Sequence, residues 1–283
     1  MKRALTHAFG GFRVIHWIAL ALIVTVVLAS LLIEQVSSAS PVAQTEARFL
    51  PVGSEGHLLG TDQYGRDILI RLIYGARIEL FIAVSATLGA LVLGTLLGVI
   101  GGYFGGFLGS LTMRAMDVLM TIPALMLALF VVTLYGPGSV TLTIGLTLIF
   151  MPSFARIAYG QTLSVREKEY VEADVLYGAK PARIIWRTIL PNISAPIIVQ
   201  FTLIIAASIL LESGLSYLGL GVVAPTPSWG SMVAEATRFM ASNPSVLMAP
   251  ALAVVIMILA FSVLGDGLQR SLDPRSGVRN VRA

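Results

Sequence analysis

Cysteine is absent from this 283-residue chain, which excludes disulfides, thiol nucleophiles and thiolate metal sites. Histidine is almost as scarce. His7, His16 and His57 all fall early in the chain, leaving little material for an imidazole metal centre. Charged residues make up only 12%, about half the roughly 25% usual for a soluble domain. Neither glycine cluster, GVIGGYFGG (Gly98 to Gly106) nor SYLGLG (Ser216 to Gly221), continues into a Lys-Ser or Lys-Thr. No loop is therefore present to cradle a nucleotide phosphate. A Gly-x-Ser-x-Gly elbow and a His-Glu-x-x-His pair are missing too. The chain is expected not to be an enzyme and to bind no cofactor of its own.

Apolar material fills the space left by charge: 56% of residues are hydrophobic and the mean hydropathy is +0.87. About 20 apolar residues are needed to cross a bilayer as a helix. Six stretches qualify: Val14 to Ile33, Leu80 to Gly101, Val118 to Tyr135, Val140 to Tyr159, Ala195 to Leu211 and Val246 to Leu264. The composition thus predicts an all-α polytopic membrane protein with six transmembrane helices. In the fourth stretch Pro152 is expected to kink the helix and Arg156 to snorkel to the interface. The first resembles a secretory signal near Ser37-Ser38-Ala39, but its run is longer than the 7–15 apolar residues of a signal core. It is expected to stay as a span.

Basic residues orient these spans. An inside N-terminus leaves only Arg48, Arg66, Arg71, Arg77 and Arg238, of 19 Lys and Arg, on the outer side. Both termini are therefore expected in the cytoplasm. The chain then divides into a cytoplasmic N-terminus (1–13), a first span (14–33), an external loop with an amphipathic helix (34–79), a five-helix core (80–268) and a cytoplasmic tail (269–283). No ionisable residue falls near the middle of a span; Glu79, Asp117, Glu212 and Asp266 sit at ends. That weighs against a proton- or ion-coupled carrier. Ala90, Gly94, Gly98 and Gly102 line one face of the second span at four-residue spacing. Such a face suits close packing against another helix of the same chain, or a sliding contact at a pore or subunit boundary.

The longest polar interruption lies within 161–193. Glu167 to Tyr177 reads as a short helix, with Gly178 placed to end it in a left-handed conformation. Pro181 suits the first turn of a second helix, whose Ala182, Ile185, Trp186 and Ile189 form one apolar face. Pro191 and Pro196 are expected to close the unit before the fifth span. Such a bend can insert into a cleft on another protein or rest on lipid headgroups. On the outer side, Thr61 to Asp67 reads as a turn capping an amphipathic helix from Ile68 to Arg77. Ser216 to Trp229, rich in Gly and Pro, reads as a re-entrant or surface loop near the outer face.

The pattern Glu172-Ala173-Asp174, Gly178-Ala179, Ile189-Leu190-Pro191-Asn192 resembles the EAA loop of binding-protein-dependent ABC importer permeases. Asp174 departs from it, since the family usually has Ala-Ala or Ala-Ser after the glutamate. GTDQYGRDILIRLIYGAR (Gly60 to Arg77), YFGG, SYLGLG, PTPSWG and GDGLQRSLDPR are similar, in order and spacing, to the C-type permeases for dipeptides, oligopeptides and nickel. This resemblance covers Gly60 to Arg275; Met1 to Leu59 carries no motif. It implies a type I ABC importer permease fold, with Glu172, Ala173, Asp174, Gly178, Ala179 and Pro191 in a coupling helix that docks on a cytoplasmic ATPase. It further implies a second homologous permease, two ATPases that bind ATP and Mg, an external substrate-binding protein, a surrounding lipid membrane and no nucleic acid. Asp62, Arg66, Asp67 and Trp229 are candidates for an external gate or binding-protein contact. Peptide is the expected substrate, with nickel or a metal–chelator complex as the alternative within the family and a stand-alone carrier outside it.

Overall fold

The structure, a computed structural model, describes residues 12–272. Among them every regular element is helical: α1 Val14–Val36, α2 Ile68–Phe104, α3 Gly106–Thr121, α4 Ala124–Tyr135, α5 Ser139–Arg166, α6 Glu169–Leu176, α7 Pro181–Ile184, a π turn Ile185–Ile189, α8 Leu190–Tyr217, α9 Trp229–Thr237 and α10 Pro244–Leu272. Five helical stretches are long and apolar enough to cross a membrane, and α3 with α4 makes a sixth if the bent pair counts as one span. Lys2, Arg3, His7, Arg275, Arg279 and Arg282 lie outside the described residues.

Three spans differ from the sequence expectation. The amphipathic helix expected over Ile68 to Arg77 and the second span are one unbroken helix of 37 residues, because nothing between them is a helix breaker and Asp67 caps only the start, accepting from Ile70 N–H at 2.9 Å. The expected third span is broken instead, with α3 and α4 meeting at 90°. Pro123 forces this: a residue before proline avoids the helical region, and Ile122 sits at φ −83°, ψ 122°. The third difference concerns Pro191 and Pro196, which do not close the coupling unit. The chain continues through the π turn into α8, with Pro191 in the first turn and Pro196 inside it. Leu190 N–H reaches back five residues to Ile185 O. That wider turn falls where an α-helical Arg187 carbonyl would collide with the Pro191 ring.

The core forms where α2 and α5 run side by side in the same direction. A Cβ at Gly94 would lie 2.4 Å from Met151 O, and one at Gly98 only 2.3 Å from Ala155 O. The small-residue face of α2 therefore serves packing within the chain: backbone touches backbone, as only glycine permits. Ile82, Ala86, Ala90, Leu146, Phe154 and Ala158 fill the seam. α8 packs on α2 and α10, and α1 leans on α2 and α10 with Ala19, Ile23 and Ile33 turned inward. Elsewhere α1 is mostly exposed, as a helix facing lipid must be.

Two ends of the bundle can be told apart. At one, Glu34 of α1 pairs with Arg77 of α2, and Trp229 Nε1 donates to Leu72 O at 2.9 Å. At the other, Arg166 donates to the carbonyls of Gly102 and Tyr103 at 3.1 and 3.0 Å. Gly267 near the end of α10 lies against His16 near the start of α1, so both ends of the described chain reach the same side.

Candidate functional site

The bend between α6 and α7 is built from local rules. Lys168 leads into α6, and Gly178 ends it at φ +74°. Ala179 N–H bonds to Asp174 O at 3.0 Å and Gly178 N–H to Val175 O at 2.9 Å, the paired bonds of a glycine-terminated helix end. Pro181 opens α7. Asp174 does more than its position in the pattern implied: its Oδ2 accepts from Thr188 Oγ1 at 2.7 Å. It thereby clasps α6 to the π turn and fixes the angle of the bend. Val171, Ile184 and Ile189 anchor the unit in the core.

The π turn also resets the apolar face. Ala182 and Trp186, expected to share one apolar face with Ile189, are exposed, whereas Ile184 and Ile189 are buried, five residues apart as a π turn requires. The bend thus shows large apolar side chains to solvent among exposed charged ones. Leu176 is 81% exposed, Tyr177 91% and Trp186 68%, and Arg183 and Arg187 flank Trp186 around a shallow groove. Glu172 and Gly178 are exposed, Ala173 and Ala179 partly so, and Pro191 is exposed on the far side of the π turn.

The outer-face candidates are brought together, but inward. Asp62 accepts from the backbone of Tyr64 and Arg66 at 2.8 and 3.0 Å and from Arg66 Nε at 2.6 Å. Arg66 and Arg71 both donate to Glu235 on α9, Arg71 at 3.3 Å. Asp62, Arg66 and Arg71 are each buried. Asp67 is tied up as the α2 cap and as the partner of His57 Nδ1 at 2.7 Å. Trp229 is buried against α2 and opens α9 as part of a capped helix, so it is no part of a free loop. These four side chains brace the region around the start of α2, and their neighbours Arg48, Tyr64 and Arg238 are exposed.

Two acidic residues were underrated by sequence. Glu79 and Glu212, expected at span ends, lie well inside α2 and α8 because both helices run on past the apolar stretches. Both are fully buried; Ser213 Oγ donates to Glu79 Oε1 at 2.8 Å and Ser216 Oγ to Glu212 Oε1 at 2.7 Å. Arg156 does not simply reach for the interface either. Its Nη2 donates to Asp117 Oδ1 at 2.5 Å.

Long apolar helices with both described ends on one side define a polytopic helical membrane protein that carries an exposed bend between two of its spans. Residues 94–278 match the family model for the binding-protein-dependent transport system inner membrane component. The chain belongs to that family. A putative peptide transport system permease protein of Brucella suis is 40% identical over 259 residues, 91% of this chain and 87% of that one. The dipeptide transport system permease protein DppC of Bacillus subtilis is 41% identical over 223 residues, 78% and 70% of the two chains. Among solved structures, a chain of the MetNI methionine ABC transporter in an inward-facing conformation superposes with a TM-score of 0.61 at 18% identity, covering 73% of this chain and 98% of that one. The fold is that of an ABC importer permease.

Proposed function

We propose that this chain is a permease subunit of an ATP-driven peptide importer, lining the translocation pathway together with a second, homologous permease. Two cytoplasmic ATPases, which hold the ATP and Mg, act on it through the loop 167–192, and an extracytoplasmic binding protein delivers the substrate. The excess of Lys and Arg on the loop side supports a cytoplasmic position for the bend and both termini. Peptide is favoured over nickel by the names that the similar permeases carry.

The observation that carries the coupling role is the bend itself. Leu176, Tyr177 and Trp186 project beside the exposed Lys180, Arg183 and Arg187, around a glycine with open space at its Cβ position. A large exposed apolar cluster of this kind marks a protein-binding surface. Replacing Gly178 with Val forces a β-branched residue into φ +74° at a cost of about 1–3 kcal/mol, and it adds bulk where the ATPase would close on the bend. Gly178→Val should cut ATPase pull-down and peptide uptake at matched expression, with Glu172→Ala a milder case. Normal values for Gly178→Val in both assays would leave the bend as a lipid-resting connector.

A further inference from the structure

Asp117 on α3 and Arg156 on α5 form an ion pair that faces out of the bundle, their side chains 56% and 48% exposed. Its depth follows from the α2–α5 seam. Gly98 packs on Ala155 and Ala158, so Arg156 lies level with Gly98, six residues short of the α2 terminus and about 9 Å inward along the helix axis. Charged groups at such a level turn toward water or protein, because hydrocarbon solvates neither ion. Two backbone breaks share the same strip. The 90° bend at Ile122-Pro123 follows Asp117 by little more than one turn, and Pro152, one turn before Arg156, leaves Leu148 O without its helical donor. Irregular backbone within a bilayer persists only where protein or water receives the freed groups.

We propose that the Asp117–Arg156 pair lines the inner part of the aqueous passage and exchanges partners with the charged groups of a passing peptide. Asp117 receives ammonium groups and Arg156 receives carboxylates. An exposed ion pair is worth only about 0–1 kcal/mol, so a peptide can open it and leave again, as passage requires. This role rests on the peptide-import reading above.

The test uses the complete importer in vesicles, with peptides that the same binding protein delivers. Removing one partner leaves the other charge unopposed. Arg156→Gln should slow peptides with acidic side chains about tenfold relative to those with basic side chains, and Asp117→Asn should do the reverse. Equal slowing of all peptides by both variants would show a structural brace and overturn the proposal. A second arm needs no peptide. The chain has no cysteine, so Asp117→Cys introduces its sole thiol, and labelling of this chain is read by mass. A charged, membrane-impermeant methanethiosulfonate should modify it. Reaction with a lipid-soluble maleimide alone would place the residue against lipid, and no reaction with either would place it in a subunit contact; each outcome overturns the proposal. If the unaltered importer takes up no peptide of any charge while the thiol is labelled, the substrate assignment fails and the water-lined position stands.

Discussion

At the scale of single residues, two glycines do opposite work. Gly178 holds a positive φ in open space, whereas Gly98 holds an ordinary helical conformation in none. Gly98→Ala places a methyl against Ala155 O, forcing the α2–α5 seam apart at a cost of about 1–3 kcal/mol. The purified protein should melt at a lower temperature in detergent and accumulate to a lower level. A melting curve that coincides with the wild type would show that the seam yields without strain. Gly178 was legible in the sequence because its signal is local: a glycine after a short helix and before Ala-Lys-Pro. The face carrying Gly94 and Gly98 was legible too, but its partner was not, since spacing identifies a face and never what lies against it.

At the scale of elements, α9 is held by charge to the loop that precedes α2. Glu235 joins Arg66 and Arg71, both buried, and receives Gln63 Nε2 at 3.3 Å. Glu235→Gln keeps the shape and leaves two buried guanidinium groups short of one carboxylate. Breaking such a cluster costs about 2–4 kcal/mol, nearer the low end because the Glu235 side chain is 31% exposed. Thermal stability should fall, and trypsin should cut sooner at Arg48 in the loosened loop; unchanged digestion would mean that packing alone secures α9. Nothing in the sequence forecast this cluster, in which Glu235 stands more than 160 residues from its partners. The broken third span is a different kind of miss. Pro123 stood in plain view near the middle of Val118 to Tyr135, but hydropathy alone continued through it. The π turn escaped for the reason that a 3.6-residue period was assumed where the helix widens.

At the scale of the molecule, an even number of crossings and the excess of basic residues on one side set the expected topology. Reporter fusions after Ser38 and Ala241 should be external and one after Lys168 cytoplasmic. A cytoplasmic signal at Ser38 would remove the first span and sink the arrangement. The purified chain alone should neither bind nor hydrolyse ATP, since no phosphate-cradling loop exists in its sequence. Saturable nucleotide binding by calorimetry, free of partners, would contradict this. ATPase activity should arise only after cytoplasmic subunits are added.

The unbroken length of α2 has a mechanical consequence. Its 37 residues make a rod of about 55 Å, held along α5 from Ser85 to Gly102, and α5 leads after only Glu167 and Lys168 into the bend. Clamped over that length, the two helices tilt as one piece rather than pivoting on a point. A push on the bend is thus passed along the rod to Ile68, which carries Arg71, Leu72 and everything bolted to them.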